Sequence, residues 1–229
     1  MGRLALLGGF DLKIDGAPVE LPHSAQRLIS FLALHPTALM RAFVAGTLWA
    51  DAGDTQANSS LRSTLWRLHD KARVIETTAT HVALAPWVST DVAESIDINQ
   101  RLADREVPPD PNVVLAMCQA GDLLPGWYED WLIVERERLR QRILHMLEAA
   151  CRRLTELGRY TEALEVGLAA VAVEPLRESG HAVVIRAHLA EGNLVEASRQ
   201  YVLLRDLLRE HLGTRPSARV GDLIHGSVP

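Results

Sequence analysis

The chain has 229 residues, of which 48% are apolar and 23% charged, and its formal net charge is −5. This length and composition indicate one large or two modest folded domains, and they exclude a disordered tail and a disulfide-stabilised mini-protein. Cys118 and Cys151 are too few and too far apart for a disulfide framework or a zinc site, and no apolar run reaches the ~20 residues that span a bilayer, so a soluble, cytoplasmic protein is expected.

The first 22 residues predict a small antiparallel sheet of three short strands. Short apolar stretches alternate with turn residues, first Gly8-Gly9 and then Asp15-Gly16. An Asp-Gly pair between apolar stretches is a strong signal for a β-hairpin.

Three helices are predicted after this sheet. Ser24 is expected to cap the first, whose apolar residues follow the helical period and which ends before Pro36. The second spans about 41–49, and its predicted buried stripe consists of Met40, Val44 and Leu48. The third follows a turn at 51–54. Its predicted buried face consists of Ala57, Leu61, Leu65, Leu68 and Ala72.

A hairpin is predicted after the third helix, with strands at 74–77 and 81–84 around a Thr-Ala-Thr tip. A sheet, three helices and a terminal hairpin follow one another in the order of a winged helix-turn-helix. Residues 1–96 are therefore predicted to form a winged helix-turn-helix domain that binds DNA.

The third helix presents polar and basic residues opposite its apolar face. Residues 62–73 contain four basic residues and one acid, a local charge of 4 − 1 = +3, although residues 1–96 as a whole are nearly neutral. Arg62 and Arg67 flank this face, and arginine pairs bidentately with guanine or phosphate. Trp66 shares the face, and the sequence leaves open whether its ring contacts DNA or packs on the hairpin.

Residues 97–229 are predicted to form a second, all-helical domain that carries most of the net negative charge. Prolines at 108, 109 and 111 separate it from the preceding segment. A long amphipathic helix is then expected over about 129–157. Its predicted inward residues are Leu132, Leu139, Ile143, Met146, Ala150 and Leu154.

An internal repeat follows the long helix. The run Gly158-Arg159-Tyr160-Thr161-Glu162-Ala163 recurs as Gly192-Asn193-Leu194-Val195-Glu196-Ala197, at a spacing of 192 − 158 = 34 residues, the tetratricopeptide period. Glycine permits a tight turn between the two helices of a repeat, and the small alanine permits close helix packing. Pro175 and Pro216 are expected to end the outgoing helices. Such repeats form surfaces that bind other proteins.

The sequence carries no pattern typical of an enzyme. A phosphate-binding Gly-x-x-x-x-Gly-Lys loop, a Gly-x-Gly-x-x-Gly turn, a Gly-x-Ser-x-Gly elbow and a His-Glu-x-x-His pair are all missing from it. The nine histidines are scattered, without a pair at ligand spacing. The sequence therefore predicts no catalytic residue, no metal site and no cofactor.

Several runs, spread over nearly the whole chain, carry a resemblance to a known family. They are Leu21-Pro22-His23-Ser24-Ala25-Gln26-Arg27-Leu28, Gly46-Thr47-Leu48-Trp49, Leu61-Arg62-Ser63-Thr64-Leu65-Trp66-Arg67-Leu68, Leu124-Pro125-Gly126-Trp127-Tyr128-Glu129-Asp130-Trp131, Glu135-Arg136-Glu137-Arg138-Leu139-Arg140, Glu174-Pro175-Leu176-Arg177-Glu178, Leu212-Gly213 and Pro216-Ser217. In this order the runs resemble the Streptomyces antibiotic regulatory protein family of transcriptional activators, which combine a winged helix-turn-helix with a bacterial transcriptional activator domain.

The resemblance implies a mainly α protein with an N-terminal winged helix-turn-helix, small β-sheets and a C-terminal tetratricopeptide-like domain. The third helix would read the major groove, and the hairpin, or wing, would touch the minor groove or the backbone. Carried over to this chain, the base-reading roles belong to Asn58, Ser59, Arg62, Ser63 and Trp66. Arg67 and Lys71 would contact phosphates, and the wing positions are Thr78, Thr80 and His81.

The resemblance further implies an activator that binds direct repeats in double-stranded promoter DNA, as a homodimer or two copies on adjacent sites, and contacts RNA polymerase through the helical domain. No membrane contact and no ATP dependence are expected. The alternative from the sequence is a tetratricopeptide-type scaffold whose winged helix does not bind DNA specifically. Salt-dependent binding to promoter DNA would distinguish the two.

Overall fold

The computed structural model describes residues 1–104 and 108–226, without the side chains of 70–71, 102–104 and 225. The elements of the first part are β1 (Gly2–Ala5), β2 (Asp11–Ile14), β3 (Ala17–Pro18), α1 (His23–Ala33), β4 (Leu39–Met40), α2 (Arg41–Leu48), α3 (Asp54–Lys71), β5 (Ile75–Thr77), β6 (His81–Leu84), β7 (Val88–Thr90) and α4 (Asp91–Asp104). Those of the second part are α5 (Pro111–Gln119), α6 (Asp130–Glu156), α7 (Tyr160–Val173), α8 (Glu178–Glu191), α9 (Leu194–Leu212) and α10 (Ala218–His225).

The mainly α fold class is confirmed, with small sheets in the N-terminal part and helices in the C-terminal part. No helix in the described ranges is at once long and apolar enough to cross a bilayer.

The N-terminal sheet has three short strands within the first 22 residues, as predicted, although the third lies at Ala17–Pro18 and not at 19–21, and it has a fourth strand. Its strand order is β3-β2-β1-β7, with β1 antiparallel to β2 and parallel to β7. Asp15 and Gly16 form the turn from β2 to β3 with φ values of 50° and 83°, the left-handed conformation that Asp-Gly favours. The sequence did not indicate β7, because its partner lies more than 80 residues away along the chain.

The three predicted helices are confirmed as α1, α2 and α3, but two details were wrong. Ser24 does not cap α1: the helix begins at His23 with Pro22 in the cap position, and no side chain caps it. Met40 is not part of the buried stripe of α2, since it lies in β4 with 58% of its surface exposed. Val44, Ala45 and Leu48 form the buried side of α2 instead.

The second sheet is the predicted hairpin with one added strand. β5 and β6 are antiparallel, and β4 pairs with the other edge of β6, giving the order β4-β6-β5. Because β4 continues directly into α2, this pairing joins the hairpin to the start of the helix-turn-helix.

The chain divides into two compact units. The first comprises Met1–Glu94 and Gly121–Leu139, and the second comprises Ser95–Ala120 and Arg140–Pro229. The sequence predicted one boundary after residue 96, whereas the segment Gly121–Leu139 packs with the winged helix.

Aromatic contacts hold this segment in the first unit. Trp127 stacks on Phe10 with ring centroids 6.5 Å apart, and Trp131 meets Phe31 edge-on at 5.3 Å. Glu129 accepts a hydrogen bond from Arg27 Nη2 at 2.6 Å. In the Trp-Tyr-Glu-Asp-Trp run, both tryptophans and the glutamate thus hold the segment in place, whereas Tyr128 is exposed.

The 34-residue repeat corresponds to two helical hairpins in the second unit. Gly158 and Gly192, with φ values of 73° and 87°, connect α6 to α7 and α8 to α9. Ala163 and Ala197 are fully buried in the equivalent positions on α7 and α9. The sequence interpretation of a tight glycine turn and a close alanine contact agrees with both hairpins.

Ion pairs and hydrogen bonds give structural roles to the charged residues of the Glu174-Pro175-Leu176-Arg177-Glu178 run. Arg177 Nε donates to the buried Glu148 carboxylate at 2.7 Å, and Glu174 pairs with Arg140. Glu178 accepts from the Ser217 amide at 2.9 Å, at the start of α10. The run therefore anchors the loop between the two hairpins.

Candidate nucleic-acid interface

The candidate interface is built on α3. Ala57, Leu61, Thr64 and Leu68 are buried on one side of this helix, which packs against α1 and α2. Because these residues recur every three or four positions, the opposite side of α3 is left to solvent. Leu65 lies at the edge of the buried side and is half-buried.

The opposite side holds most of the predicted base-reading residues. Ser59, Arg62, Ser63, Trp66 and Arg67 are all exposed, and Trp66 has 70% of its surface exposed. We call these five residues the recognition arc. With most of its surface in solvent, the Trp66 side chain is accessible to a partner, as the DNA-contact alternative requires.

Short contacts within α3 fix some of these side chains. Asn58 is half-buried, and its Nδ2 donates to the Asp54 carbonyl at 2.8 Å, so it lies at the border of the recognition arc. Arg67 Nε donates to the Ser63 carbonyl at 3.2 Å. This contact ties the Arg67 guanidinium through Nε to the preceding turn of its own helix. The Lys71 side chain lies outside the described part of the structure.

The wing has a well-defined tip. The Thr78 amide donates to the His81 carbonyl at 2.9 Å, and the His81 amide donates to Thr78 Oγ1 at 2.9 Å. Thr80 Oγ1 and His81 Nδ1 are 2.8 Å apart. Thr78 and Thr80 are exposed and His81 is half-buried, and the hydroxyl groups of both threonines are hydrogen-bonded within the tip.

Arg41 links the wing to the helix-turn-helix, a role that sequence reasoning missed. Its amide donates to the Thr80 carbonyl at 2.8 Å, and its Nη1 donates to the Thr78 carbonyl at 3.2 Å. The position of Arg41 at the start of α2, directly after β4, explains both contacts. The only sequence signal was a basic residue at the start of the second helix. The strand before it has only two residues, too few for an alternation of apolar and polar side chains to be recognised.

A separate concavity of about 790 Å³ lies in the same unit. Its walls include Trp49, Tyr128 and Trp131, together with the paired Arg27 and Glu129. None of the predicted DNA-contacting residues lines it. Within the described residues, no group of three or more His, Cys, Asp or Glu side chains could hold a metal ion.

The comparison with protein families concerns the C-terminal half. Residues 117–226 match the bacterial transcriptional activator domain family. This stretch, just under half of the chain, is thus similar to a bacterial transcriptional activator domain. Together with the winged helix-turn-helix fold, this domain confirms the resemblance to the Streptomyces antibiotic regulatory protein type of regulator. The match includes residues 121–139, so the activator domain defined by sequence extends into the unit that contains the winged helix.

A comparison with solved structures covers almost the whole chain. Mycobacterium tuberculosis EmbR, in complex with a low affinity phosphopeptide, matches with a TM-score of 0.76 at 17% sequence identity. The alignment covers 99% of this chain and 65% of the EmbR chain, so this protein spans about two thirds of that structure's length. No curated protein matches the sequence.

Proposed function

We propose that this protein is a sequence-specific DNA-binding transcriptional activator. The recognition arc of α3 enters the major groove of promoter DNA, and the wing contacts the adjacent minor groove or backbone. The observation that carries this proposal is the exposure of two arginines and a tryptophan on the side of α3 that faces away from the core. The activator domain at 117–226 supports a role in transcription.

We assign the base-edge contacts to the recognition arc and its border. Arg62 is assigned to guanine, because it is exposed and the paired donors of a guanidinium match the O6 and N7 acceptors. The short side chains of Asn58, Ser59 and Ser63 supply further donors and acceptors on either side. Trp66 contributes an apolar surface about one helical turn after Arg62.

Phosphate contacts are assigned to Arg67 and Lys71, near the C-terminal end of α3. The Arg67 terminal nitrogens extend from a guanidinium whose Nε is already bonded to the helix. The wing contributes Thr78, Thr80 and His81, and hydroxyl groups are common donors to the sugar-phosphate backbone. These contacts would set the orientation of the protein on the duplex.

We assign protein contacts to the helical half, with RNA polymerase as the partner. Most of the net charge of −5 lies after residue 96, and a negatively charged surface is repelled by phosphates. Stacked helical hairpins of the tetratricopeptide type are suited to binding proteins. We further propose that two copies occupy direct repeats.

The test is a selection of bound sequences from random duplex DNA with the full chain, followed by titration of two variants. Arg62→Ala should cost about 1–3 kcal/mol on the selected site and relax discrimination at one base pair. Arg67→Ala is the matched control on the same helix, because loss of a phosphate contact should weaken selected and scrambled DNA alike.

Equal losses for Arg62→Ala on selected and scrambled DNA would contradict the assignment of Arg62 to a base. Failure of the full chain to enrich any sequence, at low as well as moderate salt, would overturn the proposed function. That result would favour the protein-interaction scaffold.

A further inference from the structure

Trp66 is the most prominent apolar group of the recognition arc. It follows Arg62 by about one helical turn and Ser59 by about two, so the three share one face of α3. Its side chain is 70% exposed, and no aromatic ring pair within the described part of the chain includes it. A large ring held in water at the centre of a polar face indicates a partner that covers it.

The neighbours of Trp66 indicate what kind of partner this is. Arg62 and Arg67 lie on its two sides, and Ser59 and Ser63 are exposed on the same face. Guanidinium groups and small hydroxyl groups around one aromatic ring complement a surface that is anionic and rich in hydrogen-bond acceptors. A duplex groove has this character, whereas the apolar centre of a protein interface is depleted in charge.

The major groove offers only one apolar group to an indole ring. Every base pair presents hydrogen-bond donors or acceptors there, but only thymine adds a C5-methyl group. The indole has a single N–H donor and a wide apolar surface, so most of its contact with a base edge must be apolar. The small side chains of Ser59 and Ser63 leave the Trp66 ring free to approach the base edges.

Resting on the proposed function, we propose that Trp66 is a specificity-determining residue that recognises thymine through its C5-methyl group. The recognised thymine lies next to the base pair contacted by Arg62, since the two side chains are about one turn apart on α3. The operator of this protein is therefore expected to require a methyl-bearing base at that position.

The experiment replaces each thymine of the selected duplex, one at a time, by deoxyuridine. This substitution deletes only the methyl group and preserves base pairing and the groove donors and acceptors. The affinity of the full wild-type chain should fall about three- to tenfold at one or two positions and stay unchanged at the others. Trp66→Ala should bind the thymine duplex more weakly and be insensitive to deoxyuridine at those positions.

Two further variants separate the methyl contact from other effects. Trp66→Phe retains an apolar ring and should keep part of the sensitivity to deoxyuridine. Arg62→Ala should weaken binding but keep the full sensitivity, because its contact is to a different base pair. Since Trp66 is largely exposed, its substitution should leave the melting temperature unchanged.

The outcomes distinguish this proposal from the one on which it rests. A specific duplex with a flat deoxyuridine scan, or a Trp66→Ala protein with the same sensitivity as wild type, overturns the role of Trp66 and leaves the proposed function intact. Wild-type DNA affinity in Trp66→Ala would assign the ring to a protein partner and overturn the proposal. Absence of sequence-specific DNA binding by the wild type overturns both.

Discussion

Single residues in the second unit carry a pH-dependent contribution to its stability. His181 is fully buried, and its Nε2 lies 2.9 Å from the Pro175 carbonyl while its Nδ1 lies 2.9 Å from Gln200 Nε2. Because a carbonyl only accepts, the proton is assigned to Nε2, and Nδ1 accepts from the Gln200 amide. Burial lowers the pKa of His181 below its ordinary value, 6.5, so folding favours the neutral imidazole.

This lowered pKa predicts that acid destabilises the fold. Around and below pH 6.5 the unfolded chain binds a proton at His181 more readily than the folded chain does, so the free energy of unfolding decreases as the pH falls through this range. Thermal melts at pH 7.5 and 5.5 test this. His181→Gln is the control, because glutamine can donate to Pro175 and accept from Gln200 without titrating. An equal loss of melting temperature in the variant and the wild type would contradict the assignment to His181.

At the scale of residues, the helical period of α3 was enough to predict the exposed positions of Arg62, Ser63 and Trp66. Contacts between distant parts of the chain were not predictable. Arg27 and Glu129 pair across 102 residues, and no local pattern connects them. Ser24 failed as a helix cap because α1 starts directly after Pro22.

At the scale of helices, Gly167 permits close packing of three helices in the second unit. It lies on α7, and a Cβ at this position would be 2.9 Å from both Cys151 Sγ on α6 and Val184 Cγ2 on α8. Gly167→Ala should therefore destabilise the protein by about 1–3 kcal/mol through overpacking. This cost exceeds the gain of roughly 1 kcal/mol that alanine brings to a helix interior. Chemical denaturation at fixed pH measures the difference.

A matched control lies on the neighbouring helix. Gly180 is also buried and helical, but a Cβ there would meet nothing closer than 3.8 Å. Gly180→Ala should thus be neutral or stabilising by up to about 1 kcal/mol. Equal stabilities of Gly167→Ala and Gly180→Ala would show that α7 does not pack against its neighbours as closely as the distances indicate.

Elements with a strong local pattern were predictable from the sequence, and elements defined by distant pairing were not. The 34-residue spacing located both helical hairpins, and turn residues located the wing. β4 has only two residues. β7 pairs in parallel with β1, which lies more than 80 residues earlier in the chain. Such a short strand forms because it pairs with a neighbouring strand. Its two or three residues are too few for an alternation of apolar and polar side chains to specify a strand.

At the scale of the whole molecule, the predicted boundary after residue 96 differs from the compact units. The sequence changes character near the prolines at 108–111, and that change suggested two consecutive domains. Trp127 and Trp131 nevertheless pack on Phe10 and Phe31, which places residues 121–139 in the first unit. A fragment that ends at residue 96 would lack these contacts, so DNA binding is best measured with the full chain.

The charge distribution of the whole chain predicts weak binding by a single copy. The local charge of +3 over residues 62–73 can neutralise few phosphates, and because the whole chain carries −5, its other residues together carry −8. On a single site, the full chain should bind with a shallow salt dependence, of order −0.9 in log–log slope for each phosphate contacted. Specific occupancy is therefore expected to need two copies on adjacent repeats.

A titration on single and double sites at several salt concentrations tests this expectation. If two copies bind together, the double site should be occupied at lower protein concentration, with a steeper overall slope because the phosphate contacts of both copies contribute. The control is a double site whose spacing is increased by about five base pairs, half a helical turn, which places the second copy on the opposite face of the duplex. Contacts between the copies are then broken while each site stays intact, so the gain in affinity should disappear. A single site bound as tightly as the double site would instead mean that one copy suffices, and that the few basic residues of α3 are supplemented by contacts outside the recognition arc and the wing.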